Sequence, residues 1–92
     1  MDEQDVLLNA IAEYGKEAQL WMVIEEMSEL AKEICEAMRG KNDPDAIADE
    51  IADVRIMLDQ AEIIFGVEEL VQAHRARKLL RLKDRLYERS NT

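Results

Sequence analysis

The chain has 92 residues and carries 21 acids against 12 Lys or Arg, a net charge of −9. That length holds a single domain, 1–92, with a modest core, so self-association is expected. The charge argues against nucleic acid as an electrostatic partner, and no apolar run approaches the ~18 residues of a membrane span.

The opening "MDEQDVLLNA" lacks the basic start and apolar middle of a signal peptide. The single cysteine, Cys35, cannot form an internal disulfide. A reduced, cytoplasmic setting is the expectation.

Periodicity and punctuation predict four helices and no strand. The first runs from about Asp2 to Tyr14 and ends at Gly15. The second runs from about Lys16 to Arg39 and stops at Gly40, a residue suited to the turn past a helix end. Its apolar stripe is Leu20, Val23, Ile24, Met27, Leu30, Ala31, Ile34 and Met38. Cys35, between Ala31 and Met38 on the helix surface, reads as a small core residue.

In the loop "GKNDPD", Asn42 or Asp43 can cap the third helix and Pro44 suits its first turn. That helix runs from about Pro44 to Phe65 and ends at Gly66. Ile47, Ile51, Val54, Leu58, Ala61 and Phe65 form one stripe, and Ala52, Ile56 and Ile63 lie opposite. A helix apolar on two faces is buried on two sides, and a second copy of the chain is a plausible cover. The fourth helix runs from about Glu68 to Glu88, and "RSNT" is expected to fray.

Charge divides unevenly. Residues 1–70 hold 19 acids and 5 Lys or Arg, whereas residues 71–92 hold 2 acids and 7 Lys or Arg. Either the tail neutralises the body or it clamps an anion. His74, Lys78, Arg81 and Arg85 share one side of helix four. Leu79, Leu82 and Leu86 take another side and are expected to face the core.

Acids three residues apart are neighbours on a helix. Five such pairs occur: Asp2/Asp5, Glu26/Glu29, Glu33/Glu36, Glu50/Asp53 and Asp59/Glu62. Random placement gives roughly five, so spacing alone proves nothing. Context separates them. Asp2/Asp5 suits a first helical turn. Glu36 has Lys32 and Arg39 nearby, and Asp59 has Arg55. Glu50 and Asp53 have no cation three or four residues away, nor has Glu26.

Glu50 also projects into the apolar arc between Val54 and Met57, with Asp53 at its edge. Burying unpaired carboxylates is expensive or forces one to become neutral. A divalent cation removes the problem, and Mg²⁺ favours such oxygen ligands. The competing explanation is a salt bridge from the basic fourth helix. With no Glu-x-x-His, a ferritin-like di-iron bundle is disfavoured. Gly-rich phosphate loops, zinc sets and nucleophile elbows are also absent.

"EEMSEL" (Glu25–Leu30), then residues 31–48, then "DEIADV" (Asp49–Val54) together resemble a MazG-type nucleotide pyrophosphohydrolase. That family belongs to the all-α NTP pyrophosphatases, with the pattern Glu-Glu-x-x-Glu followed by Glu-x-x-Asp. The resemblance runs from about Gln19 to Leu86. "IIFGVEEL" is similar to the family's last inter-helix turn, and "KLLRLKDRL" to its basic closing segment.

The resemblance implies an all-α, four-helix subunit whose bundle is completed by oligomerisation, as a homodimer or homotetramer. It implies Mg²⁺-dependent hydrolysis (Mn²⁺ being an alternative) of a nucleoside triphosphate to the monophosphate and pyrophosphate. Glu26, Glu29, Glu50 and Asp53 would hold the metal, and Glu25 would orient water or support a ligand. Lys78 and Arg81 match the phosphate-contacting positions. Gln19 and Trp21 lie where such enzymes approach the base; Trp21 suits an oligomer contact equally well. Many members carry an Asn near the Lys, but "ARKLLR" has none, so base and sugar preference stay open. The rival is a non-catalytic acidic helical module that binds a basic partner, with Glu50 paired to Arg81 or Lys78.

Overall fold

The computed structural model describes residues 1–91 and contains four α-helices: α1 (Glu3–Tyr14), α2 (Lys16–Met38), α3 (Pro44–Phe65) and α4 (Glu68–Ser90). No strand occurs among the described residues.

Local chemistry sets the starts of α1 and α3 and the end of α3. Asp2 caps α1: its side chain accepts from the Asp5 N–H at 2.8 Å, and Asp5 accepts in return from the Asp2 N–H at 3.3 Å. This reciprocal pair satisfies two donors that a helix start leaves open. Asp43, rather than Asn42, caps α3 by accepting from the Ala46 N–H at 3.1 Å, with Pro44 in the first turn. Gly66 ends α3 in the left-handed region at φ 64, and the Val67 N–H returns to the Glu62 carbonyl at 3.0 Å. A side chain there would be strained.

The tail departs from expectation. Arg89 and Ser90 are helical, the Ser90 hydroxyl donates to the Leu86 carbonyl at 3.0 Å, and Asn91 donates to the Tyr87 carbonyl at 2.8 Å. The Asn91 bond satisfies one of the carbonyls that a helix end leaves open, and the Ser90 hydroxyl bonds back one turn within the helix. Thr92, the last residue of the expected frayed segment, lies outside the described residues.

α2 and α3 form an antiparallel hairpin that makes by far the largest interface, with α1 packed across both. The core is small: Leu7, Val23, Val54 and Met57, plus two buried amides, Gln19 and Gln60. Ile51, Leu58 and Phe65 on α3, and Ile24, Met27, Ile34 and Met38 on α2, are exposed. So is Cys35, which corrects its reading as a core residue. Its neighbours Ala31 and Met38 are exposed as well, so that part of the apolar stripe lies beyond the hairpin interface.

α4 touches only α3 and buries no residue. Leu79, Leu82 and Leu86 are 51%, 46% and 55% exposed, contrary to their expected place in the core. The result is a long body of 54 × 36 × 23 Å with a radius of gyration of 16.8 Å. A compact chain of this length has about 12 Å. Among the described residues, no helix is long and apolar enough to cross a membrane.

Candidate metal centre

The hairpin places two sets of acids face to face. Carboxylate oxygens of Glu26 and Glu29 from α2 and Glu50 from α3 lie within 4.8 Å of one another. A second set, Asp49, Glu50 and Asp53, meets the same limit. Glu50 belongs to both. Glu26 and Asp53 also line a small cavity of about 80 Å³ with Ile56 and Met57.

Glu26 and Glu50 are half-buried as residues, but Oε2 of each is shut off from solvent without a hydrogen-bond partner. Loss of water raises the pKa of both. For Glu26 the repulsion of Glu29, Asp53, Glu50 and Glu25 adds to it, and for Glu50 that of Glu29, Asp53, Asp49 and Glu33. All of these neighbours push in the same direction, and among the described residues no cation opposes them.

The adjacent acids are neutralised differently. Lys41 donates to Glu33 at 2.6 Å and to Glu36 at 3.1 Å. The Lys41 hydrogen bond and charge hold the Glu36 carboxyl below its ordinary value, with smaller help from Lys32 and Arg39. The sequence neighbours Lys32 and Arg39 therefore act as background charge, while a loop lysine makes the contact. Its compensation stops one turn short of Glu29.

The remaining predicted residues are dispersed. Glu25 is exposed and outside both oxygen sets, though close enough to raise the Glu26 pKa. Gln19 lies in the core, where its Nε2 donates to Gln60 Oε1 at 2.6 Å. Trp21 is 63% exposed. Lys78 lines an open groove of about 430 Å³ along α4 with Val71, His74, Arg75, Leu79 and Leu82. Arg81 is exposed. Because α4 touches neither α1 nor α2, a single chain does not bring Lys78 or Arg81 against Glu26 and Glu29.

Asp49 is the residue that spacing by three overlooked. It stands four before Asp53, the other helical neighbour distance, and a search at that interval finds it.

The donor set fits a hard divalent cation. All donors are carboxylate oxygens, each set lies within 4.8 Å, Glu26 and Glu50 each carry one buried oxygen without a partner, and Mg²⁺ takes oxygen ligands of this kind. Mn²⁺ takes the same kind of ligand. Comparison with known protein families, curated proteins and solved structures finds no match.

Proposed function

We propose that the chain is a divalent-metal-dependent hydrolase that cleaves a nucleoside triphosphate to the monophosphate and pyrophosphate, of the MazG-like kind that its acid motifs resemble. The observation that carries the reading is the pair of sequestered, unpartnered oxygens on Glu26 and Glu50, amid carboxylates from both helices. A fold with no use for a cation there gains nothing from such repulsion.

Glu26, Glu29, Glu50 and Asp53 would hold Mg²⁺ or Mn²⁺, with Asp49 as a further oxygen donor beside Glu50. The chemistry supplied by the bound metal is charge neutralisation on phosphate, polarisation of phosphorus and activation of water. Glu25, at the margin of the cluster, is suited to orient that water and accept its proton. Lys78 offers a point charge and Arg81 a planar fork for phosphate oxygens.

These cations are delivered by assembly. α4 stands away from α2, its leucines are exposed, and its charge is opposite to that of the body. A homodimer or homotetramer in which copies cover these surfaces supplies both the missing core and the missing positive charge. Pyrophosphate release from a panel of nucleoside triphosphates, with and without Mg²⁺, tests the activity. No release from any of them, with no binding of Mg²⁺, favours the second reading: a non-catalytic acidic helical module whose acidic surface binds a basic partner.

A further inference from the structure

Gln19 and Gln60 are 7% and 4% exposed, among the most buried residues of the chain. Their 2.6 Å hydrogen bond joins α2 to α3 across the hairpin core. Nothing in the proposed chemistry uses them, and a core this small loses apolar contact by holding two amides.

Their position explains their presence. Seven residues forward from Gln19 on α2 is Glu26, and seven back from Gln60 on α3 is Asp53. Three further steps on each helix reach Glu29 and Glu50. Glu26 and Asp53 line one cavity, and Glu29 and Glu50 share one oxygen cluster. The amide pair and both acid pairs therefore stand in a single antiparallel register. The amides sit two turns, about 10 Å, from the first acid pair.

Apolar side chains tolerate sliding, because one methyl contact replaces another. A buried amide that leaves its partner strands a donor or acceptor at a cost of about 1–3 kcal/mol. A buried polar pair is thus an effective register device. We infer that the Gln19–Gln60 bond is a positioning contact that sets the α2–α3 register and so aligns Glu26 with Asp53 and Glu29 with Glu50. The register holds whatever the acids bind; its consequence for a cation rests on the metal-dependent reading above.

Two measurements on the full chain test it. The first reads register without metal. Glu26→Cys and Asp53→Cys are introduced together with Cys35→Ser, and disulfide formation under mild oxidation is followed. The cross-link forms in the otherwise native background and is reduced when Gln19→Met/Gln60→Met is added. The second reads Mn²⁺ binding by electron paramagnetic resonance in chains with all acids intact. Gln19→Met/Gln60→Met weakens it, because the acids of the two helices no longer meet in one register. Circular dichroism checks that the double variant is helical. If it is not, Gln19→Met alone carries both comparisons, since Gln60 keeps its contact with Met57 Sδ.

Equal cross-linking in the two backgrounds overturns the inference, as does unchanged Mn²⁺ affinity in a folded variant. Reduced cross-linking in a protein whose native form binds no Mn²⁺ upholds the register and defeats the metal reading instead.

Discussion

Glu29 on α2 and Glu50 on α3 hold carboxylate oxygens within 4.8 Å of each other, and among the described residues neither is in an ion pair. Like charges that close repel unless a proton or a cation intervenes. The hairpin brings them together all the same, since its apolar packing and the Gln19–Gln60 bond fix where the helices meet.

Mg²⁺ should therefore stabilise the fold. A ligand bound only by the native state adds about 2.7 kcal/mol at a hundredfold excess over Kd. Glu50→Gln should lose most of the Mg²⁺-induced rise in Tm, because Glu50 belongs to both oxygen sets. Equal shifts in the variant and the parent would remove Glu50 from the ligand set.

Acid should relieve the same site. Glu26 and Glu50 have raised pKa values, so the native state holds their protons more tightly than the unfolded chain. Their contribution to metal-free stability is greatest below the ordinary Glu value of about 4.3 and is lost as pH rises through the raised values. Glu36, lowered by Lys41, acts oppositely: its contribution is present above the ordinary value and is lost as pH falls through the lowered one. Urea melts in chelator at about pH 5 and about pH 7.5 isolate the first effect, since the unfolded-state carboxyls are mostly ionised at both. Glu26→Gln/Glu50→Gln should reduce the loss of stability toward neutrality. An unchanged slope would place the coupled protons elsewhere.

Assembly should depend on α4. Leu79→Glu/Leu82→Glu removes two apolar side chains, each contributing about 1.5–3 kcal/mol when buried. Light scattering should show the parent as a multiple of 10.6 kDa and the variant as a helical protein of lower mass. A parent that is itself a folded 10.6 kDa species at micromolar concentration would defeat the oligomeric reading.

Arg81→Ala should weaken turnover or nucleotide binding by about 1.5–3 kcal/mol, the range for a hydrogen bond to a charged group. Metal-free stability should stay nearly constant, because in the proposed enzyme Arg81 faces phosphate and does not pair with a buried acid, and in the single chain it is exposed and forms no ion pair with Glu50. A large loss of metal-free stability, with no turnover by the parent, would instead support an Arg81–Glu50 pair formed between copies and the interaction-module reading.

Helix number and boundaries were legible in the sequence because they depend on near neighbours. Asp2 with Asp5, Asp43 with Pro44, and the glycines at 15, 40 and 66 each act within a few residues. The unusual character of Glu50 was legible for a related reason: helical periodicity set it in an apolar arc with no cation a turn away. The tail was misjudged because "RSNT" shows no apolar periodicity, whereas the serine hydroxyl and asparagine amide bonds that support its last turn depend on geometry.

Other features depended on how the helices meet. Sequence could show that α2 and α3 each carry acids, but only the antiparallel register puts Glu29 against Glu50 and Glu26 against Asp53. It likewise turned Gln19 inward to Gln60, made Asp49 part of the cluster, and gave Glu36 its contact with Lys41 rather than with Lys32 or Arg39. α4 gives the sharpest contrast. Its leucine periodicity showed that an apolar face exists, while the tertiary structure decided that, among the described residues, nothing buries it. Periodicity records which side chains share a face of a helix; which surface meets that face depends on contacts between residues far apart in the chain, or between chains.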